Sequence, residues 1–129
     1  MQWTELATGY SFLEAPRVQG DALWFCDLLA GGLFRLSKDG RTGKFLPDLT
    51  HIGGICLNQD GKLILSRPDG IGWFDPASGK TGLIIDSIAG KPFPGGNDMF
   101  PDGKGGLYFG TVASSGGSYE PGASGTGLY

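Results

Sequence analysis

One pattern of short apolar runs occurs three times along this chain at nearly constant spacing. Leu23-Trp24-Phe25 is followed 40 residues later by Leu63-Ile64-Leu65, and 44 residues after that by Leu107-Tyr108-Phe109. A turn-rich segment precedes each run. A second apolar run follows each, at Gly32-Leu33-Phe34-Arg35-Leu36, Gly72-Trp73-Phe74 and Gly127-Leu128-Tyr129. A period of about 40 to 45 residues holding several short strands restricts the chain to stacked antiparallel sheets, the arrangement of propeller blades. No segment carries helical periodicity. The fold class expected is all-β.

The turns support this. Asp-Gly pairs at Asp39-Gly40, Asp60-Gly61, Asp69-Gly70 and Asp102-Gly103 lie between apolar runs, where their tolerance of positive φ favours tight hairpins. Strands are expected over 15–19, 22–28, 33–37 and 44–46 in the first unit. The second should use 54–58, 62–66, 71–75 and 81–85. The third should use 97–100 and 106–112, followed by a long Gly/Ser loop. The implied organisation is a possible ring-closing strand within 1–12, a blade over 13–49, a second over 50–90 and an incomplete third over 91–129. Residues 2–7, with Trp3 and Leu6, read as the lone strand. The chain would then cover about two and a half blades. Its end in a strand pattern, without a polar cap, predicts that it is part of a longer protein.

Composition narrows the function classes. Apolar residues make up 40% of the chain and aromatics 12%, enough for a packed core. The 25 glycines and 8 prolines punctuate the apolar runs and do not cluster, so they read as turns. A formal charge of -3 without any Lys/Arg run argues against nucleic acid as a partner. No stretch is apolar enough for a membrane span, and the N-terminus lacks the pattern of a leader, so a cytoplasmic location is expected. Cys26 and Cys56 lie in apolar strand sequence without CxxC spacing, which predicts buried free thiols.

Register locates a candidate site. With the first strand of each blade innermost, strand one begins and strand two ends on the same face of the disc. Shifts of 40 and 44 align Glu14, Gly54 and Asp98, with Asn97 beside Asp98, at the starts of the inner strands. They also align Asp27, Arg67 and Thr111 near the ends of the second strands. Two carboxylates and a carboxamide thus converge on one end of the channel, with Gly54 leaving room between them, an oxygen-rich arrangement suited to a hard divalent cation. Asp27 reads more simply as an acceptor of backbone hydrogen bonds, and Asp98 fits either role. Glu14, flanked by Leu13 and Ala15-Pro16, needs something to compensate its charge. Arg67 suits an anionic substrate or a salt bridge to Glu14, Asp27 or Asp98. His51, the one histidine, lacks a positioned partner and reads as a loop residue. Ser78-Gly79-Lys80-Thr81 lacks the upstream glycine of a phosphate loop and reads as a turn. Ser114-Ser115-Gly116-Gly117 has no nucleophile-elbow context.

Leu13-Glu14-Ala15-Pro16-Arg17, Leu23-Trp24-Phe25-Cys26-Asp27, Asn97-Asp98 before Pro101-Asp102-Gly103, and Phe109-Gly110-Thr111-Val112 together resemble the SMP-30/gluconolactonase/LRE (regucalcin-like) family. The resemblance covers nearly the whole chain and the N-terminal half of a family member. It implies a six-bladed propeller with a divalent metal, Ca²⁺ or Zn²⁺, in the central channel and a gluconolactonase-like activity. Glu14 matches the family's metal-binding Glu, with Ala15 in place of the usual Gly. Asn97 matches the Asn of the substrate and metal pocket, with Met99 in place of a Gly. Gly95 stands where some members carry a substrate-binding Arg, and Ser115 where some carry an acidic residue. The family's other metal-binding Asn and its general-base Asp come from later blades, so no catalytic base is assigned here.

The expectation is therefore a metal-dependent lactonase in the intact protein, this chain alone being an inactive part of it. Glu14 and Asn97 would hold the metal, and Asn97, Asp98, Arg67 and Thr111 would contact a small lactone. A non-catalytic scaffold binding a small ligand or a protein is the alternative. A homodimer, in which two half-rings pair, is a further arrangement open to a chain of this kind.

Overall fold

The structure, a computed structural model, describes residues 1–112, 114–115, 118–119 and 127–129. Strands β1 (Leu13–Gln19), β2 (Ala22–Asp27), β3 (Leu33–Ser37) and β4 (Thr42–Phe45) pair in chain order as an antiparallel sheet. A second sheet repeats this order with β5 (Gly54–Leu57), β6 (Leu63–Arg67), β7 (Gly70–Phe74) and β8 (Thr81–Ile85). A small hairpin of β9 (Ser87–Ile88) and β10 (Lys91–Pro92) leads into β11 (Gly96–Pro101) and β12 (Leu107–Thr111). After a hairpin of β13 (Ser114–Ser115) and β14 (Ser118–Tyr119), β15 (Gly127–Leu128) adds a third strand beside β12. These are propeller blades, the third incomplete. The rest of the Gly/Ser loop expected before β15 lies outside the described residues.

Alternation along each strand divides its side chains between two blade faces. Trp24, Cys26 and Leu33 leave the first sheet on one face and pack with Ile52, Ile55, Leu63, Leu65 and Phe74 of the second unit. Cys56 and Ile71, with Ile64 and Ile85, leave the opposite face of the second sheet and meet Met99 and Phe109 of the third. The core is thus two apolar seams between three blades, and β5 packs between β1 and β11.

The strand ends differ from expectation by a few residues. Leu13 and Glu14 belong to β1 because they pair with Asp27 and Cys26, while the register then shifts before Arg17. Pro16, without an N–H, falls inside that irregularity. The β9–β10 hairpin was not expected. Its turn uses Ala89 and Gly90, both at positive φ (50° and 76°), a two-residue geometry that Ala signals poorly. Residues 2–7 form no strand. Trp3 and Leu6 are exposed and no sheet edge among the described residues pairs with them. The segment that follows packs instead on the first blade. Tyr10 stands edge-on to both Phe25 and Phe34 at 5.2 and 5.0 Å, and Phe12 accepts the N–H of Leu28 through its carbonyl.

Candidate metal and substrate site

The candidate ligands sit at two β-bulges on inner strands. Glu14 is the last regularly paired residue before the break in β1, and Asn97 and Asp98 lie within the break between Gly96 and Met99 in β11. Bulges bend a strand and re-aim its side chains, which is why they recur at strand ends that carry function. Ala15 takes φ 54° in the first of them, a left-handed conformation that costs a non-glycine residue about 1–2 kcal/mol. That backbone accounts for the glycine otherwise expected at this position.

Close approach fixes the spacing between the bulges. A Cβ at Gly53 would stand 2.8 Å from the Asn97 Cα, and one at Gly54 would stand 2.7 Å from Met99 Cγ and 2.9 Å from the Asn97 carbonyl oxygen. The room expected at Gly54 is therefore taken by β11 itself. The glycine permits blade packing and does not open a pocket. On the other side, the Cys26 thiol donates to the Ile52 carbonyl at 2.8 Å and lies 3.4 Å from the Glu14 carbonyl, linking β1 to the chain entering β5. Burial, reinforced by the Glu14 charge, pushes this thiol up to about 12. Cys26 and Cys56 are both free and buried.

Glu14 is half-buried, and Asn97 and Asp98 are exposed. Among the described residues no hydrogen bond or ion pair engages the side chains of these three, so their oxygens are available. The remaining candidates are committed. Asp27 is 2% exposed, and its carboxylate accepts the N–H groups of Ser11, Phe12, Leu29 and Ala30 at 2.7 to 3.2 Å. Burial alone would raise its pKa, but those donors outweigh it and hold the carboxyl below its ordinary value. Arg67 forks onto Asp69 with two 2.8 Å bonds and reaches Thr81 at 3.4 Å, so its partner is none of the three carboxylates considered from register. Thr111 is buried and donates to the Gly127 carbonyl. His51 has φ 58° and a 3.0 Å contact between its Nδ1 and the Thr50 hydroxyl. Gly95 has φ 117°, a conformation that an Arg would adopt only under strain. The Ser115 side chain lies outside the described residues.

Ser66 went unnoticed in the sequence. It occupies the repeat position of Cys26, as Gly96 does that of Ile52, and it is fully buried with no hydrogen-bond partner for its hydroxyl among the described residues. A Cβ on Gly96 would collide with that hydroxyl. The alternation of Cys26 and Ser66 at the seam was the available signal.

One carboxylate and one carboxamide, both uncommitted, are the oxygen donors that a hard divalent cation takes. Two such donors are fewer than the roughly six to eight that a cation such as Ca²⁺ takes. No group of three or more His, Cys, Asp or Glu side chains that could hold a metal occurs among the described residues, so other ligands would come from water or from another chain segment.

The model of the SMP-30/gluconolactonase/LRE-like region matches residues 12–127. The chain belongs to this family. No curated protein matches it in sequence. Among solved structures, one assigned as a gluconolactonase is 25% identical with a TM-score of 0.80, over 97% of this chain and 47% of that one. A gluconolactonase from Xanthomonas campestris gives a TM-score of 0.82 at 19% identity, over 96% of this chain and 45% of that one. Regucalcin, a calcium-binding protein from Agrobacterium tumefaciens, gives 0.71 at 22% identity, over 84% and 38%. The chain therefore spans about half the length of the family structures it matches or less. No helix among the described residues is long and apolar enough to cross a membrane.

Proposed function

We propose that the bulged ends of β1 and β11 form part of a metal-assisted lactonase site, with Glu14 and Asn97 as metal ligands. The observation behind this is the free oxygen donors at two bulges on inner strands of one core, in a chain of the gluconolactonase-like family. Bound there, Ca²⁺ or Zn²⁺ would polarise the ester carbonyl of a lactone and lower the pKa of a nearby water. Glu14 contributes the negative charge that favours a cation, and its backbone is held by its pairing with Cys26 across β1 and β2. Asn97 contributes a neutral oxygen that orients without adding charge. Asp98, exposed beside it, would accept a hydrogen bond from a substrate hydroxyl. Arg67 and Thr111 are turned to Asp69 and Gly127 and drop out of the substrate contacts. The proton from the attacking water would go to an acidic group outside this chain's candidate set.

Calorimetric titration of Ca²⁺ and Zn²⁺ into the chain and into Glu14→Gln and Asn97→Ala tests the ligands. Acid release from simple aldonolactones by the intact protein tests the reaction. Unchanged metal affinity of the chain and unchanged turnover by the intact protein in Glu14→Gln would falsify the assignment.

A scaffold that binds a small ligand without turnover is the second reading, and Arg67 and Gly95 favour it. The one is engaged by Asp69 and the other has a glycine backbone, so two polar anchors for a sugar lactone are absent. Ligand binding without acid release by the intact protein selects this reading.

A further inference from the structure

The bulges in β1 and β11 decide which side chains share a face. Glu14 pairs with Cys26 and Arg17 with Trp24, so Ala15 and Pro16 together stand opposite Phe25. Gly96 pairs with Thr111 and Met99 with Phe109, so Asn97 and Asp98 together stand opposite Gly110. A regular strand sends residues three apart to opposite faces, and the one extra residue of a bulge brings them to the same face. Glu14 and Arg17 therefore lie on the face of the first sheet that carries Cys26 and Trp24, toward the second blade. Arg17 is half-buried there. Its Nη1 donates to the Pro16 carbonyl at 2.8 Å, and its Nη2 reaches across to the Met99 carbonyl at 3.5 Å. Between them lies β5. Burial pushes the thiol of Cys56, on that strand, up, and the Arg17 charge draws it back.

The Met99 carbonyl is open to such a donor for a reason of topology. Phe109 exchanges both of its backbone hydrogen bonds with Tyr129, so Met99, paired with it, turns its own carbonyl away from β12. β11 is the edge strand on that side of its sheet. β1 and β11 belong to different sheets, and no backbone ladder sets the distance between them. A guanidinium with several donors in a fixed fork can hold two carbonyls at once, which a single ammonium cannot.

We propose that Arg17 is a positioning residue that ties the bulge of β1 to that of β11 and so sets the separation of Glu14 and Asn97. This rests on reading those two as metal ligands. Groups that orient ligands from behind commonly change metal affinity about 10-fold or more when removed. The charge of Arg17 works against a cation, so the tie and the charge have opposite signs in a titration.

The test uses the intact protein with Arg17→Met and Arg17→Lys, both checked for unchanged far-UV circular dichroism. Without metal, the carbonyl ¹³C resonance of Met99 should move upfield in Arg17→Met as its hydrogen bond is lost. Calorimetric titration with Ca²⁺ and with Zn²⁺ should then show affinity lowered about 10-fold in Arg17→Met. Arg17→Lys should lose affinity too, since it keeps the charge without the fork. An unmoved Met99 resonance overturns the tie. Affinity that rises in Arg17→Met and is unchanged in Arg17→Lys means that Arg17 acts by charge alone, and overturns the positioning role. If Glu14→Gln leaves both metal affinities unchanged, the ligand reading falls and takes the role at the site with it, while the Met99 resonance still decides whether the tie exists.

Discussion

A buried carboxylate is stable only where donors replace the water it has lost, and Asp27 has four backbone N–H groups to do so. Asp27→Asn keeps the shape but turns an NH₂ toward N–H donors. It should lower stability by about 1–3 kcal/mol, measured by urea unfolding at neutral pH. Because the folded carboxyl lies below its ordinary value, its contribution is fully present above the unfolded pKa of about 3.9. It is lost as pH falls through the folded value. The wild type should therefore lose its advantage over Asp27→Asn across that acid window, and a constant difference down to the lowest pH would sink the idea. Cys26 makes the opposite point. Its thiol is pushed up to about 12, with burial as the first cause, and only a thiolate attacks. A thiol reagent at mild alkaline pH should leave Cys26 unmodified in the folded chain and label it after denaturation. The kind of bond Asp27 makes was legible, since an Asp at a strand end ordinarily binds amides. Arg67 was less legible, because register directed attention to distant carboxylates while its partner, Asp69, lies two residues along the chain.

Among the elements, the strands that carry the repeat were readable because each joins a period of two to a flanking turn. The β9–β10 hairpin was not, because Ala89 stands at a positive φ where Asn, Asp or Gly would have announced the turn. The bulges in β1 and β11 were hidden for a related reason. A bulge is a mismatch between two strands, and neither strand's pattern records it alone. That is also why Glu14, Asn97 and Asp98 could be placed at strand ends from sequence while their freedom from partners could not. The seam between β5 and β11 makes a quantitative test of element packing. Gly54→Ala would place a methyl 2.7 Å from Met99 Cγ and 2.9 Å from the Asn97 carbonyl oxygen. Overpacking of this kind costs about 1–3 kcal/mol. Adding Met99→Ala should recover only part of the loss, since the flexible side chain can be removed and the carbonyl cannot. A double-mutant cycle by chemical denaturation measures that coupling. Full recovery would mean that β11 shifts freely and that its bulge is not held by the seam.

For the molecule as a whole, the three-blade order followed from the period of about 40 to 45 residues, and the family match over residues 12–127 agrees with it. What the period could not convey was how the chain before β1 packs, and residues 7–12 cover part of one face of the first blade. Tyr10 meets Phe25 and Phe34 edge-on, while the N–H groups of Ser11 and Phe12 bind Asp27. The segment expected to run as a strand instead supplies one aromatic ring and two donors to the first sheet. Aromatic pairs contribute roughly 0.5–1.5 kcal/mol each beyond the area they bury. Tyr10→Ala, which loses two such pairs and half-buried ring area, should lower stability by about 2–3 kcal/mol. Tyr10→Phe should cost little, since no hydrogen bond of the Tyr10 hydroxyl is found among the described residues. The loss should also be local. In native-state hydrogen exchange, amides of β2 and β3 should gain exchange in Tyr10→Ala, while β6 and β7, sealed on both sides by neighbouring blades, keep their protection. Equal loss of protection in all four strands would mean that the blades unfold as one cooperative unit, with residues 7–12 stabilising the stack only as a whole.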